Sequence, residues 1–250
     1  MRAVWSRSGQ LQLKLVALLQ LREVAKAFHR RPVLQDLSLT LNAGERLFLI
    51  GRNGSGKTTL LKIMAGVMRP EKGRGDLNGQ PLFTSDGAWR SAVAYLGHRP
   101  ALYPSFSARE NLKLALKLRR KPWDETRFME LIGHYGLQGR ESDPVRVFSE
   151  GMLRRLGLIR LTLTDWQVAL LDEPASTLDI DGAELLTAAM NRWQADGRSL
   201  LFTSHDIAWG AAMADGWALL SQGAIGPRQS APDEQSIREA LSAAAMPGAV

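Results

Sequence analysis

Cysteine is absent from the 250-residue chain, which excludes a disulfide scaffold, a thiolate metal site and a cysteine nucleophile, and permits a reducing compartment. No stretch reaches the roughly 18 consecutive apolar residues that a membrane span requires. The most apolar early segment, Leu11 to Leu21, is short and holds Lys14. Arg2 and Arg7 before it give that segment a superficial likeness to a secretory signal, but Lys14 breaks the apolar run and no small-residue cleavage site comes after it. It reads instead as an extension running into a first strand. Internal repeats and low-complexity blocks are also missing, so one site per chain is the simplest expectation.

What remains is an ordinary globular composition, 45% hydrophobic, long enough to bury a sizeable core in one domain with room for a smaller subdomain. The net charge of +7 suits nucleic acid, anionic headgroups or a polyphosphate ligand, and charge alone does not choose among them. Basic residues gather from Arg109 to Lys121, where Arg109, Lys113 and Lys117 recur at helical spacing beside Leu112, Leu116 and Leu118. A solvated helix face explains this run, and without interleaved aromatics it makes a poor single-strand nucleic-acid platform.

Apolar runs divide the chain. Leu19 to Val24, Val33 to Leu41 and Arg46 to Ile50 read as strands, the last two joined by a turn at Asn42, Ala43 and Gly44, and a helix is expected at Lys57 to Val67. From Pro100 to about Asp165 the periodicity is helical, with helices expected at Ala108 to Arg120, Asp124 to Tyr135 and Glu150 to Thr162. Strand-length runs at Gln167 to Leu171 and Ser199 to Thr203, separated by a helix at Asp181 to Ala195, restore the alternation of a parallel sheet. The expected fold is therefore α/β, a core that brackets a helical insertion. After Ile225 the chain reads as loosely ordered, apart from a helix at Ser236 to Ala245, and as carrying no chemistry.

The string Gly51-Arg52-Asn53-Gly54-Ser55-Gly56-Lys57-Thr58 comes after an apolar strand and precedes a helix, the context a phosphate-binding loop requires. Its glycines let backbone N–H groups and the helix N-terminus approach phosphate without Cβ clashes. Lys57 then reaches the β- and γ-phosphates, and the Thr58 hydroxyl, with Thr59 next to it, is the expected Mg²⁺ ligand. A metal-binding carboxylate should end a buried strand, and Val168-Ala169-Leu170-Leu171-Asp172-Glu173 supplies two. Asp172 would hold Mg²⁺, while Glu173 either polarises the attacking water or merely caps the next turn.

With these motifs in place, the chain from Leu19 to Ile225 resembles the ABC transporter ATPases. Phe148-Ser149-Glu150-Gly151-Met152 resembles the family signature, Ser176-Thr177-Leu178-Asp179 its D-loop, and Thr203-Ser204-His205-Asp206 its switch-histidine loop. The resemblance implies a RecA-like P-loop core, an antiparallel β subdomain and an inserted helical subdomain. Its boundaries would be an N-terminal extension at 1–16, an ATPase domain at 17–225 (core 17–97 and 166–225, helical subdomain 98–165) and a tail at 226–250. It also implies ATP and Mg²⁺ as cofactors and a nucleotide shared across a homodimer, with Ser149 and Gly151 facing the triphosphate held by a second subunit and Asp179 of the D-loop among the nucleotide-binding residues. Phe28 takes the place of the adenine-stacking aromatic, with core packing as the alternative. His205 takes that of the γ-phosphate sensor. Transmembrane permease subunits would dock in the cleft beside the helical subdomain, near Leu102, Tyr103 and Phe106, unless these are core, and would hold the ATPase peripherally at the cytoplasmic face of the inner membrane.

Two positions depart from the family pattern. Glu150 and Met152 replace a signature Gly and Gln, a form similar to that of two-part exporters with separate membrane chains. His98, in Tyr95-Leu96-Gly97-His98, stands where the family has a metal-contacting Gln, which makes it a candidate for a metal-side, catalytic role. A Leu-Gly-His string there resembles the haem exporter ATPases of cytochrome c maturation, while Arg99-Pro100-Ala101-Leu102-Tyr103 also resembles drug, lipid and polysaccharide exporters. A nucleic-acid-associated ABC ATPase and a non-hydrolysing regulatory module are the competing classes. The first usually carries paired domains, coiled coils or zinc inserts, none of which is present, and the second is at odds with Lys57, Asp172, Glu173 and His205.

Overall fold

The computed structural model describes residues 2–5, 11–14, 17–85, 87–230 and 232–244. Strands β1 (Arg2–Trp5) and β2 (Leu11–Lys14) pair as an antiparallel hairpin. The early apolar segment is thus divided between β2 and the long strand β3 (Ala17–Phe28). β3 pairs with β4 (Arg31–Asn42) through a two-residue turn in which His29 and Arg30 both take left-handed angles, φ 50° and 63°. That turn twist matches the twist of the two strands.

From β5 (Arg46–Ile50) the chain enters α1 (Lys57–Met64). α1 stops short of the expected Val67 because Gly66 turns left-handed (φ 68°), and Val67 and Met68 fold back to donate to the Lys62 carbonyl. Strands β6 (Lys72–Leu77) and β7 (Gln80–Pro81) complete a four-stranded antiparallel sheet ordered β4-β3-β6-β7. Next come β8 (Val93–Leu96) and helices α2 (Ala108–Leu118), α3 (Glu125–His134) and α4 (Glu150–Leu163). The chain then returns to the core with β9 (Val168–Leu171), α5 (Ile180–Ala195), β10 (Ser199–Phe202), α6 (Ile207–Met213), β11 (Gly216–Ser221) and β12 (Ala224–Ile225).

The second sheet runs β12-β11-β5-β10-β9-β8 and is parallel from β11 to β8. Its central strands are buried along their whole length, as sheets covered on both faces require. Successive side chains alternate between two cores. Leu47, Leu49, Val168, Leu170 and Leu201 face α1 and the antiparallel sheet; Phe48, Ile50, Ala169, Leu171, Leu200 and Phe202 face the helices α2 to α5.

The basic face of α2 is tied into the protein. Arg109 pairs with Glu125 and lies 4.8 Å over the Phe128 ring, Lys113 lies 5.1 Å over Trp123, and Lys121 pairs with Asp165. The tail is more ordered than its composition suggests. β13 (Gln229–Ser230) pairs with β11, and Arg228 Nε sits 2.6 Å from the buried carboxylate of Glu45. α7 (Glu234–Ala243), capped by Asp233, plants Ile237 fully in the helical-side core. It begins two residues before the expected Ser236, because Asp233 supplies the N-cap; the expected end at Ala245 lies outside the described residues. No helix among them is long and apolar enough to cross a membrane.

Candidate active site

Four parallel strands, β8, β9, β5 and β10, end on the same edge, the place where α/β sheets bind ligands. The loop Gly51 to Thr58 leaves β5 there. A side chain at Gly51 would put its Cβ 2.4 Å from the Leu220 carbonyl oxygen, and Gly56 (φ 108°) sits 2.9 Å, measured to its would-be Cβ, from Leu34 Cδ2. Only glycine permits that approach and that backbone. Helices α2 to α7 each begin with a Ser or Asp side chain accepting a first-turn N–H. α1 begins at Gly56 with no such cap, so its first N–H groups and dipole are left for an anion. Lys57 Nζ curls over the loop, donating to the Gly51 and Arg52 carbonyls at 2.6 and 3.2 Å. Burial lowers its pKa, against the opposing pull of Glu173 and Asp172. The Ser55 hydroxyl is buried without a partner, Thr58 is exposed, and Thr59 stands next to it in the first turn of α1.

Asp172, only 3% exposed, comes directly after β9, and its N–H donates to the Leu96 carbonyl at 2.8 Å. Its Oδ1 accepts from the Thr203 hydroxyl at 3.2 Å, while its Oδ2 is buried without a partner. Glu173 occupies the left-handed region (φ 50°). Its Oε2 accepts from the His205 N–H at 3.0 Å, and its Oε1 lies 3.5 Å from His205 Nε2. Burial pushes the Glu173 carboxyl up and Asp172 adds to that, while His205 and Lys57 pull it back. Lys57, Asp172, Glu173 and His205 therefore form one electrostatic cluster, which a residue that merely caps the next turn would not require.

The remaining candidates lie around this cluster. Phe28 is 39% exposed, outside both cores, with Lys26 Nζ 5.5 Å over its ring. Ser149 caps α4, its Oγ accepting from Met152 N at 3.2 Å, and Glu150 is exposed in the first turn. A Cβ on Gly151 would lie 3.2 Å from the Thr177 carbonyl oxygen, which places the signature against the 176–179 loop. Asp179 caps α5 through Gly182 N at 2.9 Å and pairs with Arg155 of α4 at 2.6 Å. His98 lies just past β8, exposed at a cavity of about 310 Å³ that Leu102, Val145 and Glu150 also line; among the described residues its ring makes no hydrogen bond to Asp172 or Glu173. Tyr103 and Phe106 stack at 5.3 Å and are 55% and 40% exposed, whereas Leu102 packs on the core.

Sequence reasoning passes over Thr203 and Arg154. Thr203 is legible only as part of the His205 loop. Arg154, 1% exposed, donates from both terminal nitrogens to the Gly97 and His98 carbonyls at 2.8 Å. An Arg shortly after a signature carries no sequence signal of burial.

The family profile described as "ABC transporter" matches residues 34–176. The cytochrome c biogenesis ATP-binding export protein CcmA of Shigella flexneri is 34% identical over 190 residues, 76% of this chain and 90% of that protein. A solved structure titled as the ATP binding subunit of an ABC transporter superposes with a TM-score of 0.81 at 25% identity, covering 90% of this chain and 99% of the other. The ATP-binding cassette MJ0796, solved as a dimer in a post-hydrolysis state with ADP and Pi, shares the fold at a TM-score of 0.77 and 21% identity, over 86% of this chain and 100% of its own. The profile match runs from β4 through the Asp172–Glu173 pair to Ser176 and so spans the phosphate loop and the signature: the chain belongs to the ABC transporter ATP-binding proteins, ATPases whose hydrolysis of ATP is coupled to transport.

Proposed function

We propose that two copies of this chain close around ATP to drive separate membrane subunits, with Glu173 as the general base. The observation that carries this reading is the Glu173 carboxylate, half-buried, raised in pKa, held by the His205 N–H and within the field of Lys57. A carboxylate whose pKa is raised is a stronger base at neutral pH than an ordinary one. Lys57 and the uncapped start of α1 hold the triphosphate, Glu173 Oε1 takes the proton of the attacking water, and His205 Nε2 steadies that oxygen.

Mg²⁺ fits the donors present. Asp172 Oδ2 is a buried oxygen lacking a partner, and Thr58 offers a hydroxyl nearby in sequence to Lys57. Mg²⁺ commonly completes its shell with phosphate and water, so few protein donors are needed. When bound, Mg²⁺ would neutralise phosphate charge. His98 is assigned to a water in the same region, not to the ion itself, since Mg²⁺ prefers oxygen ligands. Phe28, exposed beside Lys26, is assigned to adenine. Ser149, Gly151 and Asp179 are assigned to the nucleotide of the partner copy.

The exposed Tyr103–Phe106 pair is assigned to a permease surface, and the chain, through such partners, to the cytoplasmic face of a membrane. For cargo we propose haem, on the Leu96-Gly97-His98 string and the CcmA relatives. Glu173→Gln should keep ATP binding and slow hydrolysis by about two orders of magnitude or more, and a parental rate would remove Glu173 from its role. Complementation of a strain lacking its own haem-export ATPase tests the cargo. Restored cytochrome c supports haem; failure despite membrane recruitment points to another exporter.

A further inference from the structure

We infer that Thr203 is a positioning residue for hydrolysis: its hydroxyl receives the Glu173 N–H and gives its own proton to Asp172, so one buried oxygen sets where both carboxylates point. The inference rests on the reading of Glu173 as general base and adds the group that aims it.

Thr203 lies just past β10 and is fully buried. The Glu173 N–H donates to Thr203 Oγ1 at 2.9 Å, and Thr203 Oγ1 stands 3.2 Å from Asp172 Oδ1. An ionised carboxylate only accepts, so the hydroxyl proton must be directed at Asp172. The Thr203–Asp172 bond is buried and the Glu173 N–H bond part-buried, and an N–H left unpaired there is costly, so the arrangement holds. The oxygen itself is well anchored, because Thr203 N donates to the Leu171 carbonyl at 3.0 Å and Asp172 N to the Leu96 carbonyl at 2.8 Å. Thr203 thus hangs from the ladder that joins β8, β9 and β10.

Both carboxylates feel this oxygen. Occupying Asp172 Oδ1 leaves Oδ2 without a hydrogen-bond partner among the described residues, with Tyr95 as the other group that interacts with this carboxylate. Holding the Glu173 N–H stabilises the left-handed backbone at φ 50°, which a residue with a Cβ enters only where its surroundings impose it. That backbone turns the Glu173 side chain toward the His205 N–H. Valine keeps the shape of Thr203 and removes the oxygen; serine keeps the oxygen and removes the methyl group.

The test uses the full chain and three variants, Thr203→Val, Thr203→Ser and Glu173→Gln. Steady-state ATPase gives kcat and KM, and binding of a fluorescent ATP analogue is measured in EDTA and again with Mg²⁺. Thr203→Val should lower kcat about 10- to 100-fold while KM moves less than about threefold, the scale expected when a reacting group is misplaced by about 1 Å. Its binding in EDTA should match the parent, but the tightening produced by Mg²⁺ should shrink, because Asp172 is no longer held. Thr203→Ser should recover kcat to within about threefold. A folded Thr203→Val with parental kcat, or a Thr203→Ser as slow as the valine variant, overturns the inference. Parental Mg²⁺ tightening in Thr203→Val overturns the Asp172 half by itself. If Glu173→Gln hydrolyses ATP at the parental rate, the general-base reading falls instead, an outcome that the Mg²⁺-binding arm does not depend on. Should the valine variant fail to fold, Thr203→Cys, with a weaker donor and acceptor of similar size, takes its place and is expected to lie between valine and serine.

Discussion

Replacing Arg154 with Met should destabilise the protein far more than a substitution on the outside of a helix would. The guanidinium is 1% exposed, and its Nη1 and Nη2 each donate at 2.8 Å, to the Gly97 and His98 carbonyls. Hydrogen bonds involving a charged group are each worth about 1.5–3 kcal/mol, so the two together supply about 3–6 kcal/mol before burial is considered. Burial works against them. Desolvation lowers the Arg154 pKa, with Asp172, Glu150, Glu173 and Tyr95 pulling it back, and Nε is buried without a partner. Met removes both the bonds and that desolvation, and fills much of the volume, so the net loss is about 2–4 kcal/mol. For a chain of this size that is about 4–16 °C in melting temperature. Arg154→Lys, able to reach one carbonyl at a time, should recover less than half of it. Thermal unfolding followed by circular dichroism measures both. A Met variant melting within about 1 °C of the parent would show that the loop after β8 is held by its own packing and that the two bonds contribute nothing net.

Glu173→Gln should raise stability at neutral pH as it lowers activity. Burial raises the folded pKa of Glu173, so the protonated form is the one the fold favours, and the parent loses that contribution as pH rises through the folded value. The gain of the Gln variant should therefore be largest above the folded pKa and shrink toward pH 4, where the unfolded carboxyl protonates too; equal melting curves at pH 7.5 would contradict this. Gly56→Ala should abolish nucleotide binding and cost about 1–3 kcal/mol in denaturant titrations, because φ 108° is strained for alanine and its Cβ would press on Leu34 and Val33. Mixing two inactive variants, one altered at Lys57 and one at Ser149, should restore about a quarter of parental ATPase activity, since half of random dimers carry one site built from unaltered surfaces. No recovery, with mixed dimers shown to form, would refute a site shared across copies.

The parallel core is legible in the sequence because it is buried on both faces, which forces continuous apolar runs such as Val168 to Leu171 and Ser199 to Phe202. The phosphate loop is legible for a different reason: its chemistry fixes residue type at Gly51, Gly56, Lys57 and Thr58, half of its eight positions. β6 is not, because Lys72-Gly-Arg-Gly-Asp-Leu77 has no apolar alternation and is a strand through its pairing with β3 and β7. The order of the tail is hidden for a similar reason, since it comes from Arg228 meeting Glu45 and from the single buried Ile237. Long-range contacts of one or two residues leave no periodicity to read. His98 illustrates the same limit within the site. Its place after β8 is visible, yet the cavity it lines is completed by Val145 and Glu150, which lie about 50 residues away in sequence.

Helix α4 carries two adjacent arginines that face different partners. Arg154 grips the backbone of the loop after β8, next to the strand edge that holds Asp172, and Arg155 holds Asp179 at the start of α5 while also donating to the Tyr135 carbonyl of the helical segment at 3.2 Å. Neighbouring residues on a helix point about 100° apart, so the pair braces α4 against two loops at once. The helix also begins at Ser149 and Gly151, the residues assigned to the partner's nucleotide. A rigid helix cannot move its first turn without moving the residues five positions on. Arg154 thus ties the loop bearing His98 to the same helix whose first turn carries the signature. The departures at Glu150 and Met152 fall at this same end of the helix. Both lie in the exposed or half-exposed first turn, where an acidic residue favours the helix N-terminus, and the Glu150 charge also favours the charged form of Arg154.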